Sequence, residues 1–256
     1  MTKSFNSKLD KINQILLRQD QIRIKDLSEE LGMNIVTLRR YLKVLEEKGV
    51  IYRGYGYVHL KKEAFQYEPP YIYRKRINLN LKKRVAKKAL ELIEDNDSIF
   101  LDVGTSILCL AETLPDDKRL TVVTNWIPNL IALNDKVNIQ TFVIGGKLRK
   151  HELSVGGMNL RGDLSQFNFS KAFVGVSGIS VEEGVSDYYD AEVEVKREVL
   201  KIAKEKILLV DSTKFTKSGP LRVCGIEAFD KVIVDDNLEG SIVNSLLDKN
   251  VEVILA

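Results

Sequence analysis

Two residue types are nearly missing from this 256-residue chain: it has two cysteines, Cys109 and Cys224, and two histidines, His59 and His151. The cysteines are far apart in sequence and neither belongs to a Cys-x-x-Cys pair, so both read as reduced core thiols rather than a disulfide. Two histidines exclude a histidine-rich zinc site and leave little for a Ser-His-Asp hydrolase. No metal ligands, no catalytic residues and no cofactor are expected. No apolar run approaches the ~20 residues that span a bilayer, and Met1-Thr2-Lys3-Ser4-Phe5 leads into polar sequence without a signal-peptide core. A cytoplasmic protein with no membrane partner is the expectation. Internal repeats and low-complexity tracts are also missing.

What is present is an ordinary globular composition, long enough for one large domain and a small one. Its charge is distributed unevenly. Residues 1–65 carry a net of +5, residues 66–88 a net of +7 and the remaining 168 a net of −9. A basic amino-terminal third on an acidic body suits a nucleic-acid-binding module joined to something else.

The stretch from Ser98 to Leu114 organises the body. Ile99-Phe100-Leu101 is a short apolar run of buried-strand type, and Ile107, Leu110, Ala111 and Leu114 follow at helical spacing. Between them lies Asp102-Val103-Gly104-Thr105-Ser106, a turn from strand to helix. Glycine permits close backbone approach, and the free N–H groups of a first helical turn, flanked by two hydroxyls, form an anion cradle. Asp102 suits a sugar hydroxyl rather than a phosphate. The turn reads as a site for a phosphorylated polyol.

In the amino-terminal third, Leu9, Ile12 and Leu16 predict a helix ending near Arg18, and Ile22 and Ile24 a brief strand. A short helix from Lys25 to Leu31 stops at Gly32, and Asn34 caps a third helix running to Lys48. Leu38, Leu42 and Leu45 form its buried stripe. Thr37, Arg40 and Tyr41 are assigned to another face, with Arg39 and Lys43 flanking. Two helices and a tight turn, the second bearing arginines near its start, make a helix-turn-helix. Val50 to Leu60 reads as a hairpin with a Gly-Tyr-Gly tip, the wing of a winged helix. Arginine grips guanine bidentately in the major groove, while wing residues such as Arg53 and Tyr55 touch backbone or minor groove. Asn34, Thr37, Arg39, Arg40, Tyr41, Lys43, Arg53 and Tyr55 are therefore the candidate contacts to double-stranded DNA.

Pro69-Pro70 and Arg74-Lys75-Arg76 mark a linker, dividing the chain into a winged helix-turn-helix at 1–60, a linker at 61–78 and an effector domain at 79–256. Leu81 to Ile93 is a basic amphipathic helix. Strands then alternate with helices: Leu120 to Val123, Ile139 to Ile144, Lys171 to Val176, Lys206 to Val210, Lys231 to Val234 and Val251 to Leu255, with a long helix from Ala191 to Glu205. This predicts a Rossmann-like α/β domain with a mostly parallel sheet, whose ligands sit outside the carboxyl ends of the strands. Small, hydroxyl or charged residues follow strand after strand there: Asp102 to Ser106, Thr124-Asn125, Gly145-Gly146, Gly178 and Asp211 to Lys214. Asp190, Glu192 and Lys196 open the long helix, where capping and i,i+4 pairing explain Glu192 and Lys196 as well as a pocket does.

The run from Asn34 to Gly49 resembles the recognition helix of DeoR-type bacterial regulators. It departs in carrying Tyr41 where the family usually has aspartate, and the wing lacks the usual Gly-Gly tip. The body is similar to their effector domain, related in fold to ribose-5-phosphate isomerase, through Leu101 to Ser106, Thr124-Asn125, Gly145 to Arg149, Ala172 to Ile179 and Asp211 to Phe215. The resemblance implies a repressor of a carbohydrate-metabolism operon, released from its operator by a phosphorylated sugar or sugar alcohol. Gly104, Thr105 and Ser106 would hold the phosphate, Asp102 and Asp211 would accept from sugar hydroxyls, and Lys214 would supply positive charge. Lys83 stands where the family often has a lysine entering the pocket from the linker helix. A homodimer or homotetramer is expected, placing recognition helices in successive major grooves about 34–36 Å apart. The alternative is an isomerase-like enzyme with a DNA-binding head, but no second acidic Asp-x-x-Asp motif is present and fold does not carry function across.

Overall fold

The computed structural model describes residues 8, 9, 11, 12, 15, 16, 21–47, 51–60, 71–150, 152–157 and 159–256. The chain divides into two compact units, Met1–Ile77 and Asn78–Ala256.

The first unit is built on one small core. The described residues 8, 9, 11, 12, 15 and 16 are helical, with Leu9, Ile12, Ile15 and Leu16 buried; the rest of the expected first helix lies outside the described residues. Strand β1 (Gln21–Arg23) runs into helix α1 (Ile24–Glu30), so Ile24 opens the helix instead of extending the strand. Gly32 ends that turn at a φ of +57°, and α2 (Ile35–Glu47) follows. Asn34 caps α2 as its spacing predicts, its Oδ1 accepting from the Val36 N–H at 2.8 Å. Strands β2 (Ile51–Gly54) and β3 (Tyr57–Leu60) form the wing, joined by Tyr55 and Gly56 with φ of +51° and +81°, a primed turn that matches the right-handed twist of a hairpin. The strands lie in the order β1-β3-β2, antiparallel throughout. Leu27, Leu38, Leu42, Leu45, Ile51 and Val58 close the core beneath them. A single-turn helix, α3 (Tyr71–Arg74), falls within the expected linker, whose residues 61–70 lie outside the described residues.

The second unit is a three-layer α/β domain. Helix α4 (Leu79–Leu90) precedes β4 (Ser98–Leu101), α5 (Thr105–Thr113), β5 (Leu120–Thr124), α6 (Ile127–Leu133) and β6 (Ile139–Val143). A hairpin of β7 (Lys147–Arg149) and β8 (Ser154–Gly156) and a short helix α7 (Leu160–Leu164) lead to β9 (Lys171–Val174). A second hairpin, β10 (Gly178–Ser180) and β11 (Gly184–Asp187), then leads to α8 (Asp190–Ile202) and β12 (Glu205–Leu209). Strand β13 (Leu221–Cys224) pairs with β11, and β14 (Lys231–Val234), α9 (Gly240–Asp248) and β15 (Glu252–Leu255) complete the domain.

Seven strands form one parallel sheet in the order β15-β14-β12-β9-β4-β5-β6. Both faces are covered, which is why β4 reads as a continuous apolar run rather than an alternation. Ile99 and Leu101 face Val85, Ala89, Ile107 and Leu110 of α4 and α5, while Phe100 faces the opposite core with Leu164, Val193, Val199 and Leu246 of α7, α8 and α9. The chain moves outward from β4 through β5 to β6, then returns to the other side of β4 at β9. The strand order reverses between β4 and β9, the position where a crevice opens at the carboxyl ends of a parallel sheet. The hairpins β7–β8 and β10–β11 were not foreseen: three- and four-residue strands rich in glycine and serine carry too few side chains for a periodic signal.

Candidate functional site

On the head, Arg39, Arg40 and Lys43 are exposed along α2, and Asn34 is exposed at its start. Thr37 is half-buried. Tyr41 is a correction: it is buried in the core with Leu38, Leu42 and Leu45 rather than sharing the face of Arg40. Three residues on from Leu38 and four before Leu45, its large ring is worth more in the core than in water. On the wing, Arg53 Nε donates to Glu46 Oε2 at 3.0 Å, so part of its charge is already answered within the head. Tyr55 at the tip is wholly exposed.

In the second unit, the loops after β4 and β9 touch. Asp102 donates its N–H to the Phe173 carbonyl at 3.1 Å, and its Oδ2 accepts from the Gly175 N–H at 3.1 Å. A Cβ on Gly175 would lie 2.9 Å from the Val103 carbonyl, so only glycine lets the two loops approach this closely. Gly104 enters α5 at a φ of +155°, and the first turn of that helix receives no side-chain cap. Thr105 and Ser106, both largely buried, flank those N–H groups. Thr124 ties the end of β5 to β4: its hydroxyl donates to the Leu101 carbonyl at 2.6 Å and accepts from Asn129 Nδ2 at 3.0 Å. Asn129 also donates to the Asp102 carbonyl at 3.1 Å.

Several buried polar atoms here have no hydrogen-bond partner among the described residues: Asp102 Oδ1, both side-chain atoms of Asn125, and Asn129 Oδ1. A buried polar atom left unmet costs about 1–3 kcal/mol, and these sit at the carboxyl ends of the adjacent strands β4 and β5 and on α6.

A buried lysine completes the crevice. Lys196 Nζ lies 3.0 Å from Asp102 Oδ2 and 3.2 Å from Asp187 Oδ2, and Asp187 Oδ1 accepts from the Ser177 hydroxyl and the Tyr188 N–H at 2.8 Å each. Burial pushes the Asp102 carboxyl up to about 6 against the opposing pull of the Lys196 charge. Burial acts on Asp187 in the same sense, but Lys196 and the two added donors hold it below the usual carboxylate range. Burial works against the Lys196 charge too, yet Asp102, Asp187 and Glu192 together raise it above an ordinary lysine. The i,i+4 pairing of Glu192 with Lys196 is not formed among the described residues. Glu192 instead accepts from Arg149 at 2.7 Å and from the Ser154 hydroxyl at 2.6 Å, while the Arg149 guanidinium stacks 3.0 Å above the Tyr189 ring. Beside them the β7–β8 hairpin and the start of α8 enclose a cavity of about 470 Å³.

Other expected residues fall elsewhere. Asp211 lies at the same sheet end, after β12, where its Oδ1 accepts from the Thr213 N–H at 3.2 Å and from the Thr213 hydroxyl. Ser212 is held by Asp235, at 2.7 Å through its N–H. Lys214, half-buried, follows in the same turn. Gly145 and Gly146 are exposed and lead into the β7–β8 hairpin, and Gly178 opens β10 against the Lys217 backbone; none of the three touches the Asp102 cluster through a described contact. Lys83 is also a correction. It points to solvent, and its neighbour Lys82 is the buried lysine of α4, because Lys82 shares the helix face of Val85, Ala86 and Ala89. Asn129, Ser177, Asp187 and Arg149 were not singled out; they come from hairpins and helix starts that spacing alone does not connect.

A DeoR C terminal sensor domain matches residues 77–236, and a DeoR-like helix-turn-helix domain matches residues 9–64. The chain belongs to the DeoR family of transcriptional repressors. Among DeoR-type relatives, the lactose phosphotransferase system repressor of Lactococcus lactis subsp. lactis is 33% identical over 233 residues, covering 90% of this chain and 91% of its own. The HTH-type transcriptional regulator GolR of Listeria innocua serovar 6a is 29% identical over 249 residues, covering 96% and 97%. These relatives are named as regulators, not enzymes. Among solved structures, ribose 5-phosphate isomerase A from Methanocaldococcus jannaschii aligns over 54% of this chain and 55% of its own, with 17% identity and a TM-score of 0.41; no argument rests on so distant a likeness. Membership of the DeoR family implies DNA binding. No helix among the described residues is long and apolar enough to cross a membrane, and no cluster of metal-ligating side chains occurs among them.

Proposed function

We propose that this DeoR-family repressor senses a phosphorylated sugar or sugar alcohol in the crevice between β4 and β9 and releases operator DNA when it is bound. The observation that carries the reading is the pair of unmet buried polar groups at the ends of the adjacent strands β4 and β5, Asp102 Oδ1 and the Asn125 side chain, next to a helix α5 that opens on glycine. An uncapped helix start with adjacent hydroxyls favours a phosphate, so Gly104, Thr105 and Ser106 take that group. Asp102 and Asn125 meet the hydroxyls, with Thr124 fixing the turn that carries Asn125. Asp211 and Lys214 contribute from the neighbouring strand end, and Gly145, Gly146 and Gly178 shape the loops around the site. On the head, Asn34, Thr37, Arg39, Arg40 and Lys43 face the major groove while Arg53 and Tyr55 reach the backbone or minor groove.

The assembly is a dimer or tetramer whose two-fold symmetry matches two operator half-sites. The effector makes no covalent bond and undergoes no turnover. The relatives' names as regulators and repressors support a sensor over an isomerase. A thermal-shift panel of aldose and alditol phosphates tests the reading. A ligand at 100 times its Kd adds about 2.7 kcal/mol of stability. A panel that shifts nothing, or a hit that is chemically converted, defeats it.

A further inference from the structure

Lys196 projects from α8 into the crevice with about 1% of its side chain exposed, between Asp102 of the β4 end and Asp187 of β11. We propose that Lys196 is a positioning residue that holds Asp102 as an ionised acceptor, so that the crevice takes a ligand hydroxyl there and turns away a ligand carboxylate. The proposal rests on the effector reading above.

Its warrant is the division of labour at Asp102. Oδ2 accepts from the Lys196 ammonium at 3.0 Å and the Gly175 N–H at 3.1 Å, the Val103 N–H lies against the same carboxyl, and Oδ1 is buried with no hydrogen bond of good geometry among the described residues. An ionised carboxylate oxygen only accepts, so its partner must be a donor such as a sugar or alditol hydroxyl. A buried carboxyl without a cation would neutralise itself and offer a donor instead, which would suit a ligand carboxylate. The surrounding charge adds to the selection. Among the described residues, Asp102, Asp187, Glu192 and Glu152 supply four carboxylates beside the two cations Lys196 and Arg149, the latter paired with Glu192 at 2.7 Å and 3.9 Å from Glu152.

The test uses matched probes on the full chain: pentitol and hexitol phosphates beside the aldonic acid phosphates of equal length, which differ only in a terminal hydroxymethyl or carboxylate. Any alditol phosphate that binds is expected to bind at least tenfold tighter than its acid partner, and Asp102→Asn is expected to narrow that gap below threefold. Equal affinity in the unaltered protein overturns the proposal. A second measurement needs no ligand: the Asp102 carboxyl carbon is followed by NMR against pH. Lys196→Met is expected to raise its midpoint by more than one pH unit, and Asp187→Asn, which keeps the cation and gives it wholly to Asp102, to lower it. A midpoint that stays put in both variants overturns the positioning role. Midpoints that move while no probe binds contradict the effector reading and the selectivity drawn from it.

Discussion

Replacing Lys196 by methionine removes the one cation shared by two buried carboxylates. Its Nζ is 3.0 Å from Asp102 and 3.2 Å from Asp187, and both partners are almost wholly enclosed. Removing one member of a buried ion pair typically costs about 3–5 kcal/mol, because the charge left behind has neither solvent nor partner. For a unit of this size, at roughly 2–4 °C per kcal/mol, Lys196→Met lowers the sensor unit's melting temperature by about 6–20 °C at pH 7. The loss depends on pH in a defined direction. The Asp102 carboxyl sits at about 6 in the folded chain against 3.8 when unfolded. Between those values the folded state holds the extra proton, so this group destabilises more as pH rises through the window, by roughly 3 kcal/mol across a shift of about two units. Without Lys196 the folded value climbs further, so the variant recovers part of its deficit on going from pH 7 to pH 5. Adding Asp102→Asn to Lys196→Met recovers part of the loss at pH 7, since coupled residues compensate by about 0.5–3 kcal/mol while Asp187 stays without its cation. Urea unfolding at pH 5, 6 and 7 measures all of this. A loss under about 1 kcal/mol, or one that does not change with pH, refutes the shared-cation argument.

Tyr41→Ala unfolds the head's core, by about 3–5 kcal/mol on the scale of large aromatic truncations, while Arg40→Ala leaves stability within about 0.5 kcal/mol and weakens operator binding; calorimetry with a gel shift separates the two. Gly146→Ala places a Cβ 2.6 Å from the Gly156 carbonyl at a φ of +143°, and is expected to cost about 1–3 kcal/mol and loosen the β7–β8 hairpin in hydrogen exchange. Asn125→Leu, which replaces two unmet polar atoms by an apolar group, is expected to leave stability unchanged or raised while abolishing any ligand-induced thermal shift.

Much of the architecture was legible because it lies in local signals. The run Ile99-Phe100-Leu101 followed by helical spacing from Ile107 gave the strand-turn-helix that carries Asp102 to Ser106, and β14 matched its expected span of Lys231 to Val234. Asn34 and Gly32 marked the recognition helix through capping and a left-handed turn. What escaped was the side chain's direction within a correctly placed helix. Tyr41 and Lys82 turn inward where one position of register, about 100° of rotation, decides between core and solvent. The crevice's ion network was out of reach for another reason. Asp102, Asp187 and Lys196 come from three elements, and a helix start of alternating charges gives no sign that its lysine pairs across the sheet rather than four residues back.

The most direct test of ligand-controlled DNA binding is a fluorescence-anisotropy titration of the protein on DNA from its own upstream region, with and without the best phosphate from the thermal-shift panel. Coupling of about 1–3 kcal/mol between the two sites predicts that the ligand raises the Kd for DNA by ~5–150-fold, and that Asn125→Leu abolishes this effect while binding DNA normally. A ligand that stabilises the protein yet leaves the DNA Kd unchanged contradicts the account.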